Sequence, residues 1–162
     1  MQFRGNYCMK LIIIAALNVN RVIGGNGKVP WDIPLDIQRF KKLTFGYPVL
    51  MGRKTYETLS EPLIGRRNVI ISKKNIPGIE TFSSIDSALE ELKEQETVWI
   101  IGGGKIFEQL LTKADEWKLT HVKNSEEGDT FFPPYEHLIG SEYKIIFEEE
   151  HNDFIFRDYM KM

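Results

Sequence analysis

The sequence predicts a single α/β domain: a mainly parallel central sheet flanked by helices, with an antiparallel hairpin at its C-terminal end. Three observations predict it. Short aliphatic runs alternate with segments whose apolar residues recur at helical spacing, the order expected of parallel strands joined by crossover helices. One such run opens directly into Gly102-Gly103-Gly104 and a second helical pattern. After Pro133 and Pro134 the pattern changes to two strand-like segments with no helix between them.

The run 11–17 is apolar throughout and reads as a central strand buried on both faces. Residues 18–28, rich in Gly and Asn, read as a loop. Pro34 suits the first turn of a helix, where a missing N–H costs nothing. Ile37, Phe40 and Leu43 follow at helical spacing and carry that helix to about residue 44. Residues 47–51 make the next strand and open into a short helix over 54–59. A third strand covers 68–72 and a short, weak fourth covers 79–82. Ser84 can cap a helix running to residue 93, with Ile85, Ala88, Leu89 and Leu92 on its inner face. Strand 97–101, the glycine turn and a helix through residue 111 follow, then a strand over 117–122. Segments 143–147 and 154–159 form the hairpin around an acidic, polar turn, 148–153. There is no internal repeat, low-complexity tract or interdomain linker.

At 162 residues the chain is most economically one domain, large enough for a core and a ligand cleft. Residues 1–8 read as an extension ahead of a domain over 9–162. A net charge of -2 gives no global basic field and weighs against nucleic acid as the main partner. Cys8 is the single cysteine, so an intrachain disulfide and a multi-cysteine metal site are excluded, which fits a reducing cytoplasm. His121, His137 and His151 lack metal-ligand spacing, and no metal is expected. The longest apolar run is far too short to span a bilayer and lacks a cleavage pattern, so no membrane partner is expected either. A monomer is the expected state.

The chemistry gathers at three places. Asp36 stands one residue before Ile37, at the border of an apolar helix face. An acid there either complements the helix dipole or serves a site, and the helix alone leaves both open. Gly102-Gly103-Gly104 sits where a strand meets a helix N-terminus, a place that favours an anion. The G-x-G-x-x-G pattern is incomplete at Phe107, and no Ser or Thr follows Lys105 to make a Walker A motif. Tight turn geometry is an adequate reading of the triple glycine by itself. Arg53, Lys54 and Thr55 open a second helix directly after a strand, and Ser72, Lys73 and Lys74 end another. Cations and hydroxyls at two strand ends beside one glycine turn suit a dinucleotide carrying an extra phosphate.

Taken in order, these residues resemble the dihydrofolate reductase family from about residue 10 to 162. The resemblance runs through Ala15-Ala16-Leu17, Arg21-Val22-Ile23-Gly24, Pro30-Trp31 with Pro34 and Asp36, and Met51-Gly52-Arg53. It continues through Pro62-Leu63 with Gly65-Arg66, Ile101-Gly102-Gly103-Gly104 and Glu127-Gly128-Asp129-Thr130. It implies NADPH-dependent reduction of dihydrofolate, with Asp36 bonding the pteridine, Thr120 supporting that carboxylate and Trp31 holding a water beside it. By the same resemblance Ile14, Ala16, Ile37, Phe40, Leu59, Leu63 and Ile101 wall the folate cleft, and Arg66 grips the glutamate tail. Arg53, Ser72 and Lys73 would read the 2′-phosphate, while Lys54, Thr55, Gly102, Gly103, Gly104, Lys105 and Ile106 hold the rest of NADPH. Ala16, Ile23 and Phe107 would line the nicotinamide, and the Gly102–Gly103 peptide would be cis. Gly24, Gly25 and Gly27 would form a lid that Asp129 holds closed by accepting a backbone hydrogen bond.

Two residues depart from the family pattern. Phe107 stands where many bacterial members carry Tyr, and Glu61 replaces a basic residue found in some members. Two rival readings share parts of this pattern: the pyrimidine reductase of riboflavin synthesis and a non-catalytic pterin or NADP-binding module. The pyrimidine reductase is not expected to need the Trp31, Pro34 and Asp36 pattern, and its substrate carries a ribose phosphate rather than a glutamate tail; an intact Asp36 argues against the non-catalytic module.

Overall fold

In the computed structural model, which describes residues 9–25 and 31–162, the apolar run near the N-terminus is strand β1 (Lys10–Asn18) at the centre of the sheet. The 1–8 extension with Cys8, and the positions of Gly27 and Pro30, lie outside the described residues. The chain continues through β2 (Val22–Gly24), α1 (Pro34–Thr44), β3 (Val49–Gly52), α2 (Arg53–Glu57), β4 (Asn68–Ile71) and β5 (Glu80–Phe82). Then come α3 (Ile85–Glu91), β6 (Thr97–Gly102), α4 (Gly104–Leu110), β7 (Glu116–Val122), β8 (Thr130–Phe131), β9 (Tyr143–Glu150) and β10 (Phe154–Lys161). A 3₁₀ turn, Glu136–Leu138, precedes β9 and has no counterpart in the sequence reading.

Eight strands form one sheet in the order β5-β4-β3-β6-β1-β7-β10-β9. The first six pair in parallel, and β10 and β9 close the sheet antiparallel. Alternation along β1 feeds two cores. Leu11, Ile13 and Leu17 join Trp117, Tyr143, Phe107 and Leu110 on one face. Ile12 and Ile14 join Val49, Met51, Ile70 and Trp99 on the other, where Phe40 and Leu43 of α1 pack only partly buried. The first core is sealed by aromatic packing: Trp117 and Tyr143 stack with centroids 3.9 Å apart, and both donate to the Leu111 carbonyl at 2.9 Å. Among the described residues no helix is long and apolar enough to cross a membrane.

Two further regions differ from the sequence reading. Part of the expected loop 18–28 is strand β2, which pairs antiparallel with β8 in a second, two-stranded sheet. The cause is Asn18, 4% exposed, at the end of β1. Its side-chain oxygen accepts from the Asn20 and Val22 amides, each at 3.0 Å. Its amide donates to Asn124 Oδ1 at 3.0 Å and to the Glu126 carbonyl at 2.8 Å. Gly128 lets β2 approach, since a Cβ there would lie 2.4 Å from Val22 Cγ1. The hairpin turn is also shorter than 148–153, because β9 runs through Glu150. Glu148 pairs with Arg157 across the ladder at 2.6 Å, and Glu150 pairs with Lys123, just past the end of β7, at 2.8 Å.

Asn18 therefore ties the sheet to the segment over its C-terminal edge. Asn18→Ala leaves buried amides such as that of Val22 unbonded and should lower unfolding free energy by about 2 kcal/mol. Urea denaturation checks this, and an unchanged midpoint would contradict it.

Candidate active site

The sequence places one acid at the mouth of the second core. Helix α1 starts after Ile33, which offers no side-chain cap, with Pro34 leading and Asp36 in the first turn. Asp36 does more than face the helix dipole. Thr120 of β7 donates its hydroxyl to Asp36 Oδ1 at 2.6 Å. Thr120 is 2% exposed and lies between Ala16 of β1 and Phe156 of β10 in the ladder. Burial pushes the Asp36 carboxyl above the usual carboxylate range, while the Thr120 bond and the nearby Arg39 charge pull it back down. The Trp31 indole N–H, close by in sequence, is buried without an acceptor among the described residues.

Most of the apolar residues singled out in the sequence belong to the second core or pack against it. Ile14 is in the second core, and Phe40, Leu59, Leu63 and Ile101 pack against it while staying partly open. Ile37 is 45% exposed on α1, an apolar side chain left uncovered at the rim. Arg66 is fixed beyond the other end of the helix. Its Nε and Nη2 donate to the Ile64 carbonyl at 3.0 and 2.9 Å, and its Nη1 donates to Thr44 Oγ1 at 3.1 Å. Its neighbour Arg67 is engaged instead with Glu80 at 2.6 Å. The two arginines thus divide, one bracing the sheet edge and one facing the end of α1.

On the other side of β1 the strand ends crowd together. The Gly102–Gly103 peptide is cis, and Gly102 has φ 135°. Added Cβ atoms at Gly102 and Gly103 would lie 3.3 and 3.1 Å from Thr55 Oγ1, and one at Gly104 would lie 2.8 Å from the Phe131 carbonyl. Glycine is what leaves this turn a bare backbone cradle beside α2, and a diphosphate fits such a cradle. Ile106 and Phe107 are buried, Phe107 with its ring 5.2 Å from that of Phe132. Lys54 and Lys105 are exposed, and Arg53 pairs with Glu57 one turn on at 3.4 Å. Ser72 is buried: its hydroxyl donates to the Lys74 carbonyl at 2.8 Å and accepts from the Lys74 amide at 3.1 Å. It shapes the turn that presents Lys73 and Lys74 to solvent.

Two sets of partly open residues thus flank β1, an acid with an apolar rim and a glycine cradle with cations. Residues 10–160 match the family model described as dihydrofolate reductase. The chain belongs to the dihydrofolate reductase family. It is 42% identical over 130 residues to dihydrofolate reductase type 3 of Salmonella typhimurium, covering 78% of this chain and 80% of that one. It is 38% identical over 143 residues to the Haemophilus influenzae dihydrofolate reductase, covering 87% and 88%. Among solved structures it resembles the Enterococcus faecalis dihydrofolate reductase complexed with NADP(H) and RAB-propyl. There the TM-score is 0.85 and the identity 25%, covering 96% of this chain and 98% of that one.

The 23–25 segment is seated on the segment around Asp129, and the rest of the expected glycine loop lies outside the described residues. The Asp129 amide donates to the Gly24 carbonyl at 3.0 Å. Its carboxylate accepts from Thr130 Oγ1 at 3.0 Å. Gly25 lies against Gly128, Ile23 packs on the first core, and both flank that seat. Sequence reasoning missed Asn18, Arg39 and Asp158. A signal for Asp158 existed only beside Lys118, since the two place opposite charges on one face of adjacent strands.

Because folded Asp36 holds its proton more tightly than the unfolded chain does, folding is favoured as pH falls through the raised value. At neutral pH the ionised, buried carboxylate subtracts from stability. Asp36→Asn should therefore raise Tm at pH 7, and this advantage should shrink as pH falls toward the ordinary carboxylate range. Calorimetry across that window checks the sign; a lower Tm for the variant at pH 7 would contradict it.

Proposed function

We infer that this chain reduces 7,8-dihydrofolate to 5,6,7,8-tetrahydrofolate with NADPH. The observation that carries the reading is Asp36, held by Thr120 at the mouth of an apolar cleft whose far end is marked by Arg66. NADPH supplies the hydride that adds to pterin C6, and a proton adds to N5, which balances the reaction.

The chain's residues orient and protonate. Asp36 takes the amino side of the pteridine, so the same carboxylate cannot also touch N5. A water held by Trp31 carries the proton there. Ile14, Ala16, Phe40, Leu59, Leu63 and Ile101 exclude bulk water and stack the ring, while Ile37 covers its outer side. Arg66, already braced by Thr44 and Ile64, pairs with the carboxylate of the glutamate tail. The Gly102–Gly104 backbone with Thr55, Lys54 and Lys105 cradles the diphosphate. Arg53 and Lys73, with Ser72 setting the turn, read the 2′-phosphate. Phe107, Ala16 and Ile23 confine the nicotinamide so that the two rings meet in one orientation. The single cysteine fits a reducing compartment, and a cytoplasmic monomer is the reading adopted.

Mixing the chain with NADPH and dihydrofolate should deplete NADPH absorbance, far more slowly with NADH. Asp36→Asn should still bind dihydrofolate yet lose on the order of 10²-fold in turnover near pH 7, recovering as pH falls and substrate arrives protonated. A binding module would bind both ligands without oxidation. A pyrimidine reductase would respond only to a ribose-phosphate pyrimidine. Either result, or wild-type turnover in the variant at pH 7, would overturn the reading.

A further inference from the structure

Beneath α1, on the face of the sheet that carries Thr120, lies a run of alternating charges. Arg39, three residues after Asp36, donates from Nη2 to both Asp158 oxygens at 2.8 and 3.1 Å. Its guanidinium carbon sits 4.7 Å from the centre of the Phe156 ring. Asp158 Oδ2 also accepts from Lys118 at 3.0 Å. Lys118 in turn lies 3.5 Å from Glu116, which accepts from Lys10 at 3.1 Å. The inner members are well covered, with side-chain exposures of 19% for Arg39, 16% for Lys118 and 8% for Asp158.

We propose that this cluster is a positioning and charge-balancing device for Asp36, in which Asp158 holds the Arg39 guanidinium close to the carboxylate yet prevents the two from pairing. Residues three apart on a helix are neighbours, so an untethered Arg39 would close on Asp36. Such a pair would fix the carboxylate ionised and turn it away from the pteridine. With Asp158 and the Phe156 ring on its far side, the guanidinium acts on Asp36 only as a nearby positive field. That field offsets part of the burial that raises the acid's proton affinity.

The other groups around Asp36 fit this assignment. From α1 the charged neighbour is Arg39, with the exposed Asp32 in the segment before the helix; β7 offers the neutral Thr120 hydroxyl and, on the same face, the charged Lys118. From β10 the charge is Asp158, while β1 offers only Ile14 and Ala16. Arg39 is thus the cation placed to tune the acid, and Asp158 sets how strongly it does so. Both are positioning residues, since neither need touch substrate. The catalytic meaning of the cluster rests on the functional reading above, but its effect on Asp36 does not.

The test is a carbon-13 NMR titration of carboxyl groups in the free chain, with the Asp36 signal identified by its loss in Asp36→Asn. Asp158→Asn releases Arg39 and should lower the Asp36 midpoint by about one pH unit; Arg39→Met removes the cation and should raise it by about one. The double variant Arg39→Met/Asp158→Asn buries no unpaired member of this pair. It should give a midpoint above wild type and below Arg39→Met, and it decides the matter if either single variant fails to fold. No substrate is needed, so absence of reductase activity would remove the functional reading and leave this result decisive. Folded variants whose Asp36 midpoint equals wild type, or whose order is reversed, would reduce the cluster to a brace between helix and sheet and overturn the proposal.

Discussion

The hydrogen bond from Thr120 to Asp36 is the constraint around which the rest of this molecule is arranged. A carboxyl group useful to a proton transfer near neutral pH must be buried enough to value its proton and open enough to meet a ligand. Those demands conflict, because an unpartnered acid in an apolar cleft would be costly and poorly placed. A hydroxyl from the adjacent parallel strand resolves the conflict. It holds one oxygen, leaves the other for a ligand, and partly restores the ionised form.

Sheet topology makes that bond possible. With β1 central, its C-terminal end has β7 on one side and β6 on the other, so an acid-bearing helix and a glycine turn come to flank one strand. Ligands of open α/β sheets lie beyond the carboxyl ends of such strands. The antiparallel hairpin contributes as well. β10 pairs with β7 and brings Phe156 and Asp158 beneath α1. What looks like a peripheral closing hairpin supplies the carboxylate, Asp158, that holds Arg39 of α1.

Much of this was legible in the sequence because it depends on local signals. Helix α1 was bounded as found, since Pro34 and the Ile37, Phe40, Leu43 spacing are local features. The six parallel strands announced themselves as apolar runs, and Ser84 caps α3 by accepting from the Ser87 amide at 3.1 Å. The resemblance to a family pairs Asp36 with Thr120, although 84 positions separate them. The misses were long-range. β2 is short and held by a partner more than a hundred residues away, which no window of sequence displays. The Arg39–Asp158 pair spans 119 positions, and each residue alone reads as a solvated surface charge.

The central claim is that Thr120 fixes Asp36 in place and lowers the proton affinity that burial raises. Thr120→Val preserves shape and removes only the donor, so pH profiles of single-turnover hydride transfer and the two ligand affinities test it most directly. Removing a bond that favours the ionised acid should move the profile to higher pH, and dihydrofolate should bind more weakly while NADPH binds as before. A profile and a dihydrofolate affinity identical to wild type would show that Thr120 is only a packed strand residue, and the account would be wrong.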